Sequence, residues 1–198
     1  MNRKNVAIAG IILCCIYFAT VIFFILAGSQ NWLIIFEIVT MISGIYFIFL
    51  ILALPFSDNE KKKIYKISAI IFVTSLMIFT IIAHIVNLMV LRLLNNGILI
   101  PEYLQLGKNP SVITLAEYFG WGIFLGLSFL FSSIGIEKNK IIKPLKITLF
   151  ICSMLCFIGF FGSIINEHLW YIASLGYGFG TLVICTEMIV IDNKLKVK

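Results

Sequence analysis

Six apolar runs, each long enough to cross a bilayer, constrain this chain more than any other feature. They lie at residues 6–27, 32–54, 67–91, 113–136, 145–165 and 169–191. A membrane-spanning helix needs about 20 apolar residues. The sequence therefore predicts an all-α, polytopic integral membrane protein, a single six-helix transmembrane domain over residues 1–198. Composition argues the same way. Charged residues make up 12% of the chain, about half the quarter usual for a soluble domain. That is too few to coat a soluble core of this size. The first run is longer than the 7–15 residues or so of a signal-peptide core, so it is expected to stay as the first span.

The 15 Lys and Arg against 9 Asp and Glu give a net charge of +6. The positive residues stand in short blocks between apolar runs, not on a polar face, so no nucleic-acid partner is expected. Their placement orients the chain instead. Arg3 and Lys4 precede span 1. Lys61, Lys62, Lys63 and Lys66 lie between spans 2 and 3. Lys138, Lys140, Lys143 and Lys146 lie between spans 4 and 5, and Lys194, Lys196 and Lys198 follow span 6. Lys and Arg stay on the cytoplasmic side, which predicts cytoplasmic termini in a plasma membrane, a prokaryotic one by expectation. Lys61, Lys62 and Lys63 are candidates for contact with anionic lipid. Trp32, Tyr118 and Trp170 then belong near the outer interface.

Residues 92–112 form a long extracytoplasmic connection between helices 3 and 4, and loops of that length are often functional. Asn95-Asn96-Gly97 suits a left-handed helix end. Ile98 to Leu104 is amphipathic enough to lie on the membrane face or dip into it. Ser111 or Thr114 can cap the fourth helix. A cover over the outer end of the bundle and a passive interfacial segment are both compatible with this stretch.

Polar groups inside the spans carry the functional expectation. At 1.5 Å per residue, His84 lies about 7–8 Å outward of the centre of span 3, Glu37 about 9 Å outward in span 2, and Glu117 about 11 Å outward in span 4. Asn87 shares the His84 face. Ionisable groups at membrane depth cost several kcal/mol unless they pair or meet water. Glu37, His84, Asn87 and Glu117 are therefore expected to face one interior volume, with Arg92 at its rim, able to pair with Glu117 or Glu102, and Trp121 below. The expected site is an outward-facing polar pocket between helices 2, 3 and 4 for a small, partly apolar ligand. A buried polar latch between helices is the competing reading.

Catalytic patterns are weak. His84, Glu37 and Glu117 could make up the three ligands of a catalytic metal, but no HExxH-type spacing is present. The Gly-x-Ser-Gly nucleophile segment of an intramembrane serine protease is missing, since Phe161-Gly162-Ser163-Ile164 departs from it. All five cysteines fall in apolar runs, and Cys152 and Cys156 read as small hydrophobes with no ligand beside them. No cofactor is expected. Glu187, near the inner edge, is expected to snorkel or to pair with a loop lysine. Gly122 with Gly126, and Gly176 with Gly180, are spaced for close helix packing. These faces are candidates for packing within the chain or for a homo- or hetero-oligomer. Gly176, Gly178 and Gly180 together could instead break the sixth helix. Three function classes follow: a protein that binds, senses or transports a ligand, a structural or accessory membrane subunit, and, third, a membrane enzyme.

Overall fold

The computed structural model describes residues 2–27, 30–108 and 110–196. Among these residues the chain is helical, with six helices long and apolar enough to span a membrane. They are α1 (Arg3–Ala27), α2 (Gln30–Ala53), α3 (Glu60–Asn95), α4 (Val112–Gly135), α5 (Lys143–Ile165) and α6 (Glu167–Leu195). Each helix packs on the next, and α6 closes back on α1, which makes a ring. Helices satisfy their own backbone groups, as hydrocarbon demands. The outer faces are apolar: Ile12, Ile71, Phe150 and Phe179 are all about half exposed or more.

Several helices outrun the apolar runs. The largest difference is in α3, expected over 67–91 and found over Glu60–Asn95, 36 residues in all. At 1.5 Å per residue that is about 54 Å, well beyond a hydrocarbon core of about 30 Å. Hydropathy marks what must lie in lipid, whereas helix ends are set by caps. Asn59 accepts a hydrogen bond from the Lys61 amide at 2.9 Å and Glu60 follows it, a favourable cap and first turn. The stretch Glu60–Lys63 is therefore helical and not loop. At the other end Gly97 takes a positive φ of 75°, the left-handed conformation that suits a glycine after a helix. Arg92 thus belongs to the helix, and the connection shortens to 96–111. Gln30 and Asn31, expected in a turn, begin α2. Gly28 and Ser29 of that turn, with Asn109 and Lys198, lie outside the described residues.

In the connection, Ser111 caps α4 by accepting from the Ile113 and Thr114 amides. Thr114 accepts instead from Gly107 N at 2.8 Å. A short 3-10 turn at Glu102–Leu104 packs on the start of α4, and Leu99 is 94% exposed. The other polar end is tied together by a feature with no sequence signature. Phe56 and Ile136 form an isolated antiparallel bridge, with Ser57 N donating to Gly135 O and Glu137 N to Pro55 O, both at 3.1 Å. This bridge joins the 2–3 and 4–5 connections.

The central helix is α4. Three successive residues reach four neighbouring helices. A Cβ on Gly120 would touch Leu76 and Phe79 of α3, Trp121 packs on Phe47 of α2 and Tyr177 of α6, and a Cβ on Gly122 would clash with Phe160 of α5. Phe119–Phe124 is a π-helical turn, and so is Leu175–Phe179 in α6. Such turns carry an extra residue, which shifts the helix phase by about 100°. The two π turns meet at the Trp121–Tyr177 contact, with ring centroids 4.8 Å apart. The glycines of 176–180 therefore widen the helix without breaking it.

Glycine and cysteine close the α5–α6 seam. A Cβ on Gly180 would lie 2.3 Å from Cys152 Sγ, and one on Gly159 would lie 2.4 Å from the Ala173 backbone nitrogen. On the α4 side, Gly126 meets Phe157, and Ser153 donates to the Gly126 carbonyl at 2.7 Å. The glycine faces of both α4 and α6 are used inside this chain.

Candidate functional site

The polar set is built on three helices. Glu37 projects from α2 and places one carboxylate oxygen against His84 Nδ1 of α3, in a short hydrogen bond. Its other oxygen accepts from Asn87 Nδ2 at 2.9 Å. Asn87 is one turn along α3 from His84, so the two side chains stack on one face and grip a single carboxylate. Glu117 reaches the opposite edge of the ring from α4, with Oε1 3.6 Å from Nε2. That is within ion-pair range but beyond a hydrogen bond. The result is a carboxylate–imidazole–carboxylate chain across α2, α3 and α4.

Burial is uneven along the chain. His84 is 0% and Glu37 1% exposed, Asn87 is 7% exposed, and the Glu117 side chain is 19% exposed. Both Glu37 oxygens are bonded, but His84 Nε2 is buried with no hydrogen-bond partner. The cluster is therefore closed and satisfied on the Glu37 side, closed and unsatisfied on the Glu117 side. Phe36 packs its edge on the imidazole, ring centroids 6.5 Å apart. Tyr17 of α1 packs on Phe36 in a tilted arrangement, ring centroids 5.5 Å apart, and lies within electrostatic reach of Glu37 and Glu117. Nothing in the sequence marked Tyr17, an aromatic residue in an apolar run.

Four of the six expected site residues thus come together: Glu37, His84, Asn87 and Glu117. Trp121 sits one turn from Glu117 in the core, 4% exposed. It lines an apolar cavity of about 30 Å³ with Tyr17, Tyr46, Phe47 and Tyr177. Arg92 does not join them. It is exposed, and makes no ion pair with Glu117 or Glu102 among the described residues. Two turns of α3 separate it from His84, which is too far for its side chain to fold back into a sealed cluster. The pocket expected to open above His84 is not open in this conformation, because the ring is fully covered.

The arrangement limits the chemistry. Glu37 and Glu117 lie on opposite sides of the imidazole, so the three groups cannot converge on one ion. Among the described residues no group of three His, Cys, Asp or Glu is placed to hold a metal. What the chain of groups can do is hold a proton between two carboxylates or offer Nε2 and Glu117 to a polar ligand group. Glu187, expected to snorkel or to pair with a lysine, instead accepts from Thr148 Oγ1 at 3.0 Å across the α5–α6 seam.

Trp170 and Tyr118, expected as outer-interface rings, stack on each other with centroids 4.0 Å apart, and Trp170 is buried. A polar cleft of about 300 Å³ lies beside them, lined by Gly107, Ser111, Thr114, Ser163 and Glu167. It is separate from the His84 cluster. Compared with known families, curated proteins and solved structures, the chain matches none.

Proposed function

We propose that this chain is a membrane protein that binds, senses or transports a small, partly apolar ligand, with His84 and Glu117 as its polar recognition groups. The observation that supports this reading is the unsatisfied His84 Nε2. A polar atom buried without a partner carries a desolvation penalty, and a purely structural latch would be expected to bond it. Glu117, the more exposed carboxylate, stands on the same side of the ring. On this reading the conformation described is the closed one. Glu37 and Asn87 hold the imidazole in place, and the Glu117 side opens to the ligand. The aromatic cavity beside Trp121 is only water-sized, about 30 Å³, so the apolar part of such a ligand enters there only if α4 and α6 move apart, and the paired π turns give those helices a place to adjust.

The reading places the protein in a plasma membrane with both termini cytoplasmic, on the strength of the four lysine-bearing blocks. Anionic lipids then gather at the end bearing Lys61, Lys62 and Lys63. The second reading, an accessory subunit whose polar set is a latch, is favoured by one observation of its own: Glu37 is fully bonded and sealed.

A thermal-shift screen of small amphiphiles in detergent separates the two. On the binding reading at least one compound raises the melting temperature of the wild type and fails to do so for Glu117→Gln. The Gln variant keeps the wild-type melting temperature without ligand. If every compound acts equally on both proteins, the latch reading stands.

A further inference from the structure

A groove at the basic end of the bundle has a different chemistry from the His84 cluster. It lies between the end of α4, the 136–142 connection and the start of α5, and its volume is about 630 Å³. Lys138, Lys140, Lys143 and Lys146 line its upper part, against one carboxylate, Glu137. Its lower wall is apolar, formed by Ile134, Ile147 and Phe150, which are 37%, 48% and 47% exposed. Along α5 the order is fixed by helix geometry. Relative to Lys143, Lys146 lies about 4.5 Å further along the axis, Ile147 about 6 Å and Phe150 about 10 Å. Positive charge thus gives way to apolar surface within two turns, on a face that looks outward.

Among the described residues none of the four lysines is within ion-pair range of a carboxylate. The neighbouring block differs. Lys63 pairs with Glu60 at 3.7 Å, and Lys62 donates to the Ile136 carbonyl at 2.9 Å. That bond brings Lys62 into electrostatic reach of Lys138 and Lys146. The Phe56–Ile136 bridge fixes this approach, and Glu137 is the one carboxylate lining the groove to offset the charge gathered there.

We propose that this groove is a binding site for an anionic phospholipid, with the lysines of the 138–146 segment on its phosphate. The acyl chains run down the Ile134, Ile147 and Phe150 wall into the hydrocarbon. The occupant is a membrane lipid, not a soluble anion, because the apolar wall continues directly from the charged rim. The site rests on the chain spanning a membrane and is independent of any ligand at His84.

Native mass spectrometry of the whole protein in detergent, titrated with phosphatidylglycerol, phosphatidylcholine or inorganic phosphate, tests this. Phosphatidylglycerol should be retained on the wild type in preference to phosphatidylcholine, and phosphate should not displace it. At the contribution usual for a lysine near anionic lipid, replacing all four by glutamine should weaken retention by up to about a thousandfold. Replacing all four by arginine should preserve it, and Lys61→Gln with Lys63→Gln should change it far less. Equal retention of the two lipids by the wild type would overturn the proposal, a result that needs no variant. So would displacement by phosphate, or equal loss in the Lys61 and Lys63 variant.

Discussion

His84 is the residue on which the polar set depends. It contacts the carboxylates of both α2 and α4, and it is fully buried. Removing one member of a buried pair strands the other, at about 3–5 kcal/mol. His84→Ala should therefore lower the melting temperature in detergent, because Glu37 keeps Asn87 but loses the imidazole. Adding Glu37→Gln to His84→Ala should recover part of the loss, since no uncompensated carboxylate remains. If the double variant is less stable than the single one, Glu37 is not stranded by the loss of His84 and the pairing is wrong. Glu117→Gln should cost little by comparison, since that side chain is partly exposed and its contact is long.

At the scale of the element, the seams are set by glycine. Gly159 faces the Ala173 backbone so closely that a Cβ would lie 2.4 Å from its nitrogen. Backbone cannot swing aside as a side chain can, so Gly159→Ala must push α5 from α6, at about 1–3 kcal/mol. Gly44 of α2 is the contrast: its nearest neighbours, on Thr80, would be at 3.5 Å, an ordinary contact. Gly44→Ala should be neutral or stabilising by about 0.5–1 kcal/mol, through helix propensity. Melting temperatures of the two variants should move apart, and equal losses would mean the α5–α6 seam is not so tight. These seams were partly legible. The Gly122/Gly126 and Gly176/Gly180 spacings announced close packing, but not that α5 is the partner of both pairs. The π turns were hidden, because an inserted residue leaves hydropathy unchanged.

For the molecule as a whole, the six apolar runs foretold the six helices because the solvent of each span dictates its composition. Convergence of Glu37, His84, Asn87 and Glu117 was legible for the same reason, since the cost of a polar group in lipid leaves it few places to point. Closure was not legible. Depth along a helix axis says nothing about the side chains that cover a group, and here Phe36 and its neighbours seal the ring. Arg92 falls in the last turn of α3 and not in the connection, because a cap, not hydropathy, decides where α3 ends. Orientation is tested by impermeant thiol labelling in cells, after removal of the native cysteines. A cysteine at Leu99, which is almost fully exposed, should label from outside, and one at Asn59 should not. The reverse pattern would turn the bundle over.

The central claim is that a carboxylate–imidazole–carboxylate chain, sealed at Glu37 and His84, joins three helices. The protein has two histidines, and His168 is exposed, so it serves as an internal reference. Solid-state nitrogen NMR of histidine-labelled protein in bilayers reads both rings at once. The account predicts a His84 Nδ1 signal that is strongly hydrogen-bonded, protected from exchange with bulk water and displaced by Glu37→Gln, while His168 exchanges freely and ignores that substitution. Two histidines that exchange alike, with neither responding to Glu37→Gln, would contradict it.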